Sequence, residues 1–457
     1  MTAASPPDTP PQGWRTFLWL WGSQALSVLG GGLSGFALNI YLTQTRFPLD
    51  TQRGELAAAL SLTALGWTLA AILGAPLAGA LADRLDRRRV MLICDLLGAL
   101  LLAGGVALVT LTTPPVWALV GYTAGVGLVG TFHGSAFDAS YGLLVSRAQL
   151  PRANGMMQTI WSLSGLLSPA LAALLIGLPA LARSGGGPAW LAAVHDGVPL
   201  ALALDGLTFL VAAAVLWRLR LPSPRRAAAG ERDAPPRPSL VQDMRFGWQF
   251  IFARAPLLHL LLTFAAVNLL TSGVGVLHPL LVRFSLLPDA AARGISTEAA
   301  LASLWTALSA GGLMGGLLVS TWGGLKRRRV LGVLVPMVLA GAAHAASGAF
   351  GGMVAVSVAV ACFGLMTPIM NAHSQAIWQS QVPPEMQGRV FSVRRLIAQF
   401  TAPVSTALAG LLAAQVAPGS VLLWSGLALV VIAGAQLLNP ALRRVETPLT
   451  PVPAGGD

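Results

Sequence analysis

Runs of twenty or more residues with scarcely a charge recur along this chain, and few folds can accept them. About 20 apolar residues at 1.5 Å rise per residue cross the hydrocarbon layer of a bilayer. In that layer every backbone amide must find its partner within the segment, so each run has to be helical. We read twelve spans, at 17–43, 55–82, 90–112, 116–145, 153–181, 198–218, 257–284, 299–323, 330–350, 353–380, 387–416 and 419–442. Composition agrees, with 55% of residues hydrophobic and 10% charged, where a soluble domain carries about 25% charged residues. The chain is an integral membrane protein by this criterion.

Between the sixth and seventh spans the composition changes. Pro222 to Ser239 is rich in proline and arginine and reads as a polar linker. Leu240 to Arg254 alternates charge with Phe and Trp, the pattern of a short amphipathic helix at a membrane surface. The expected layout is a disordered cytoplasmic N-terminus (1–14), a six-helix bundle (15–220), a cytoplasmic linker with its amphipathic helix (221–255), a second six-helix bundle (256–442) and a disordered tail (443–457). The first span is long and lacks a small-residue cleavage site, so no removable signal peptide is expected.

Orientation follows from the basic residues. With the N-terminus in the cytoplasm, all of the 29 Lys and Arg except Arg46, Arg53, Arg183, Arg283 and Arg293 fall on the cytoplasmic side. Cytoplasmic loops are enriched in this way, so both termini are expected there, in a cytoplasmic (inner) cell membrane. The net charge of +12 then reflects topology and attraction to anionic lipid heads, and no nucleic-acid partner is expected.

The two halves echo each other. Asp86-Arg87-Arg88-Arg89-Val90 follows the second span, and Lys326-Arg327-Arg328-Arg329-Val330 follows the eighth. Pro151-Arg152-Ala153-Asn154-Gly155 opens the fifth, and Pro384-Glu385-Met386-Gln387-Gly388 opens the eleventh. Duplicated six-span halves related by an axis along the membrane normal build one large class of secondary transporters, with the binding site near the midplane between them. The predicted fold class is an all-α polytopic membrane protein, twelve transmembrane helices in two pseudo-symmetric six-helix bundles.

Gly79-Ala80-Leu81-Ala82-Asp83-Arg84-Leu85-Asp86-Arg87-Arg88 resembles G-x-x-x-D-R-x-x-R-[KR], the signature loop between spans two and three of the major facilitator superfamily. A looser resemblance, carried by Leu26-Ser27-Val28-Leu29-Gly30, Leu150 to Gly155, Pro169 and Asp205 to Phe209, is to the drug-efflux branch that includes macrolide and enterobactin exporters. The second-half loop has Gly323 and Gly324 where the first has Asp83 and Arg84. The resemblance implies a cytoplasmic gate at Gly79, Asp83, Arg84, Arg87 and Arg88. In it Asp83 meets the positive N-terminal end of span eleven, near Gln387 and Gly388, a contact worth about 0.3–1 kcal/mol and up to about 2 if partly buried.

Polar residues within spans are costly and mark cavities or bundle interiors. They gather on spans one (Gln24, Asn39), four (His133, Asp138), seven (Asn268, His278) and ten (Asn371, His373, Gln375). We expect Gln24, Asn39, Asn268, Asn371, His373 and Gln375 to line the substrate path, and His133 and Asp138 to be candidates for coupling, because carboxylates and imidazoles can titrate between two states. Asp95 and Asp205 stand on spans expected to be peripheral, and local helix contacts are expected for them. Arg394 and Arg395 lie two turns into span eleven, deep enough to face the cytoplasmic vestibule and pair with an acid such as Asp83 or Asp138, or to snorkel to the interface.

The chain has no G-x-x-x-x-G-K-[ST] loop, no H-E-x-x-H, and its cysteines, Cys94 and Cys362, lie in separate spans. Neither ATP-driven transport, a metal site nor a cofactor is expected. The expected function is secondary active efflux of a hydrophobic or amphipathic organic compound by alternating access, in exchange for protons, by a non-enzymatic monomer. A lipid flippase or siderophore exporter of the same fold, or a non-transporting membrane sensor or scaffold, are the rival readings.

Overall fold

The computed structural model describes residues 12–146, 149–194, 196–219, 221, 245, 248–382 and 386–446. The expected disordered ends and most of the proline-rich linker lie outside these residues. Among the described residues the fold is helix and connecting turn throughout. Twelve helices carry the architecture: α1 Gly13–Ile40, α2 Arg53–Arg84, α3 Arg87–Leu111, α4 Val116–Leu144, α5 Leu150–Leu181, α6 Val198–Arg218, α7 Ala255–Thr271, α8 Thr297–Trp322, α9 Arg329–Ala349, α10 Met353–Gln381, α11 Gln387–Gln415 and α12 Pro418–Leu438. Helix α7 breaks at Ser272-Gly273 and resumes as Val274–Leu281.

Eleven of the spans are long and apolar enough to cross a bilayer along their own length. Helix α11 is long as well; its first nine residues carry Arg389, Arg394 and Arg395, and from Leu396 to Gln415 it runs without a charge. Its charged start is the more informative part.

The chain forms two compact units, one of 1–234 with 294–306 and the other of 235–293 with 307–457. Within the first, α1 packs on α5 and α6, α3 on α4 and α6, and α2 on α4. Within the second, α7 packs on α11 and α12, and α9 on α10 and α12. Each pairing of the second unit is one of the first advanced by six helices. The internal repeat is thus a repeat of packing as well as of loop sequence.

Small residues set how closely these helices approach, as expected where lipid offers little drive to associate. A Cβ on Gly348 of α9 would fall on the carbonyl of Gly419 of α12, and one on Gly311 of α8 would fall on the carbonyl of Ala361 of α10. The first unit's core includes Phe17, Leu20, Met91, Phe137, Leu144 and Leu216. In the second, Phe250 and Ile251, the described end of the predicted amphipathic helix, are buried with Leu260, Met337, Trp378 and Leu429.

The signature loop is stitched into the first unit. Asp86 caps α3, its carboxylate accepting from the backbone N–H of Arg88 at 3.0 Å and of Arg89 at 3.3 Å. An acid there meets the positive end of the helix. Arg87 Nε donates to the Ala82 carbonyl at 3.1 Å, and Arg88 Nε donates to the Leu216 carbonyl at 2.8 Å. Two arginines therefore satisfy carbonyls that helix ends leave open, on α2 and α6. Gly79 stands on the last turns of α2 with open space where a Cβ would be. Asp83 and Arg84 close α2. Their side chains, and those of Gln387 and Gly388, lie outside the described residues, and so does the latch expected between them.

Candidate functional site

Two groups of polar side chains lie within the long helices, one in each unit.

In the second unit, Asn268 of α7, Asn371 and Trp378 of α10, and Arg394 and Ile397 of α11 line one cavity of about 120 Å³, with Phe264 on its wall. Arg394 Nη1 donates to Gln375 Oε1 at 2.6 Å, and Nη2 reaches Ser374 Oγ at 3.5 Å. Its guanidinium carbon lies 5.5 Å from the centroid of the Trp378 ring, in the range of a cation–π contact. Four residues singled out in the sequence, Asn268, Asn371, Gln375 and Arg394, therefore meet at one place. Their chemistry is that of a polar recognition group set in an apolar wall. Arg394 has amide and hydroxyl partners, and no carboxylate among the described residues. The side chain of Asp83, one of the acids expected to pair with it, lies outside the described residues, and α11 turns Arg394 towards α10 and α7 of its own unit.

His373 is placed elsewhere. The Leu325 backbone N–H donates to its Nε2 at 2.8 Å, and Nδ1 lies 2.7 Å from the Ile369 carbonyl. Accepting at Nε2 leaves the ring proton on Nδ1, which donates to Ile369. His373 thus ties the α8–α9 loop to α10. The loop approaches because Gly323 and Gly324 take left-handed conformations (φ 78° and 72°) that suit glycine. The two glycines that replace Asp83 and Arg84 in the second-half loop have this as their structural use.

In the first unit, Asp95 of α3 is fully buried and its Oδ1 lies 3.2 Å from His133 Nε2 of α4. Neither oxygen of Asp95 receives a hydrogen bond among the described residues. The pair is at ion-pair distance without in-line geometry. It sets a carboxylate and an imidazole, two groups able to carry a proton, against each other in an apolar span. Asp205 of α6 is different: Ser34 Oγ of α1 donates to Oδ2 at 2.5 Å and Thr208 Oγ1 to Oδ1 at 3.3 Å. Gly30 leaves the room for it, since a Cβ there would fall on Asp205 Oδ1. Asp205 has the helix contacts expected of it, whereas Asp95 faces a titratable side chain of the next helix. What the sequence did not yield was Asp95 as the partner of His133; the signal was an acid in an apolar span, but nothing in periodicity says which neighbour it meets.

Asp138 is exposed on α4, five residues beyond His133, roughly 7.5 Å further along the helix. Gln24 and Asn39 are half-buried on α1, and the Asn39 amide donates to the Gly35 carbonyl at 3.1 Å. Two larger cavities lie at helix ends away from these groups. One, of about 780 Å³, includes Tyr41, Arg46 and Asp196, and the other, of about 760 Å³, includes Arg328, Arg443 and Glu446.

Residues 20–406 match the family model of the Major Facilitator Superfamily. The chain belongs to that superfamily. Macrolide efflux protein A of Streptococcus pyogenes is 27% identical over 436 residues, 94% of this chain and 97% of the relative. The multidrug efflux pump Tap of Mycolicibacterium fortuitum is 26% identical, covering 89% and 93%. The enterobactin exporter EntS of Citrobacter koseri is 26% identical, covering 94% and 93%. Among solved structures, the nucleoside transporter NupG superposes with a TM-score of 0.67 at 14% identity, over 93% of this chain and 98% of that one, which supports the fold alone. This facilitator is a multi-pass membrane transporter of a small molecule and not an enzyme.

Proposed function

We propose that this chain is an exporter of amphipathic organic compounds, driven by exchange for protons. The observation that carries export is the alignment over nearly the full length of chain and relative with proteins named as efflux pumps for macrolides, for several drugs and for enterobactin. An amphipathic cargo is supported by the second unit's cavity, which offers amides, one guanidinium and aromatic walls. Proton exchange is supported by the His133–Asp95 pair, a buried carboxylate set 3.2 Å from an imidazole on the neighbouring helix. Asp138, exposed and nearer the end of α4, is the second coupling candidate. The protein works as a monomer in the cytoplasmic membrane, both termini inside, its two bundles (15–220 and 256–442) rocking about the linker, with Asp83 and Arg84 at the cytoplasmic gate.

The test of direction is accumulation in inside-out membrane vesicles energised by a proton gradient. Vesicles holding the chain should concentrate a panel of lipophilic drugs several-fold over control vesicles and lose the difference when the gradient is collapsed. Transfer of labelled phospholipid between leaflets without drug uptake would favour the flippase reading, and neither activity would favour the sensor.

A further inference from the structure

Resting on the export reading, we infer that the second unit's cavity recognises the anionic group of its cargo, an aryl or alkyl carboxylate, sulfonate or ionised phenol, and that Arg394 is the residue that selects it. Guanidinium offers five N–H donors in a fixed fork. Two of the Arg394 nitrogens have partners, and both partners are neutral, Gln375 and Ser374. No ion pair engages it among the described residues. A half-buried cation without a counter-charge is costly, and an anion entering the cavity supplies that charge. Asn268 and Asn371 add amide donors on the facing walls, while Phe264, Trp378 and Ile397 provide an apolar face. The volume of about 120 Å³ is of the order of the roughly 150 Å³ that holds one benzene ring. The cavity therefore takes one ring with its acidic substituent, the head of a larger molecule. Positively charged amines are disfavoured there by the same charge.

The test compares benzoate with benzamide, two probes of one shape that differ in charge. Equilibrium binding of each, radiolabelled, is measured to the full chain in nanodiscs of zwitterionic phosphatidylcholine. Benzoate should bind at least about tenfold more tightly, the worth of a charge-assisted hydrogen bond. Arg394→Gln should erase the preference, and Arg394→Lys should restore part of it, which separates lost recognition from lost folding. Equal binding of the two probes, binding of neither, or a preference that survives in Arg394→Gln overturns the inference. Replacing a third of the lipid by phosphatidylglycerol distinguishes a lipid headgroup as the source of the anion: loss of benzoate binding there would reassign the site to lipid and overturn recognition of cargo. Because binding needs no transport, benzoate selectivity without efflux would remove the export reading and leave the site, whereas efflux unaffected by Arg394→Gln would do the reverse.

Discussion

Asp95 and Asp205 are both buried carboxylates of the first unit, and their surroundings set them two different tasks. Asp205 is held by hydroxyls from Ser34 and Thr208 in a space that Gly30 leaves open. Gly30→Ala should push its methyl onto that carboxylate and lower the thermal unfolding midpoint in detergent, at a cost of about 1–3 kcal/mol, while the neighbouring Gly31→Ala, which meets open space, should leave it within a degree or so. Equal effects would mean that the carboxylate's fit is not what Gly30 provides. Among the described residues Asp95 faces His133 alone, and Asp95→Asn should leave cargo binding within about twofold while removing proton movement. At this scale the sequence was legible where cost was the signal. Asn268, Asn371 and Arg394 stood out because polar groups at membrane depth are expensive, and they do meet. Which buried acid faces His133, and that His373 bonds a loop, depend on neighbours that no one-dimensional pattern encodes.

At the scale of elements, the charge-dense loop after α2 fastens helix ends. Asp86 caps α3, and Arg87 and Arg88 close the carbonyls of α2 and α6. Arg88→Ala should destabilise the first unit by about 1–3 kcal/mol, since it removes the donor that the Leu216 carbonyl of α6 holds. Arg89→Ala should cost no more than a few tenths, its side chain being 83% exposed and its contact to Asp86 a surface pair. Thermal unfolding of the two variants side by side checks this. The sequence reading gave these basic residues an orienting role and placed Arg87 and Arg88 in a cytoplasmic gate; their bonds to helix ends were not legible, because the end of α6 reaches Arg88 only through the tertiary fold. The apolar spans themselves were readable throughout. Helix α11 carries its charges, Arg394 among them, on its first nine residues and is uncharged from Leu396 to Gln415.

For the whole molecule, four helix pairings in the second unit that repeat four in the first are what duplication of a half-sequence predicts, and the paired loop motifs announced it. The close contacts that hold each half were visible as glycine clusters but not as pairs. Gly348→Ala should disturb the α9–α12 packing and lower the unfolding midpoint by several degrees, whereas Gly316→Ala, with nothing near its Cβ, should not. The central claim is that a transporter built this way exchanges an organic compound for protons through the His133–Asp95 pair. The direct measurement is proton flux in liposomes containing the purified chain, with a pH-sensitive dye inside, an imposed pH gradient, and lipophilic compounds added outside. Compound-dependent proton movement that is lost in Asp95→Asn and persists in Asp138→Asn is the predicted result. Compound movement without proton movement in the unmodified protein, or proton movement unchanged in Asp95→Asn, would contradict it.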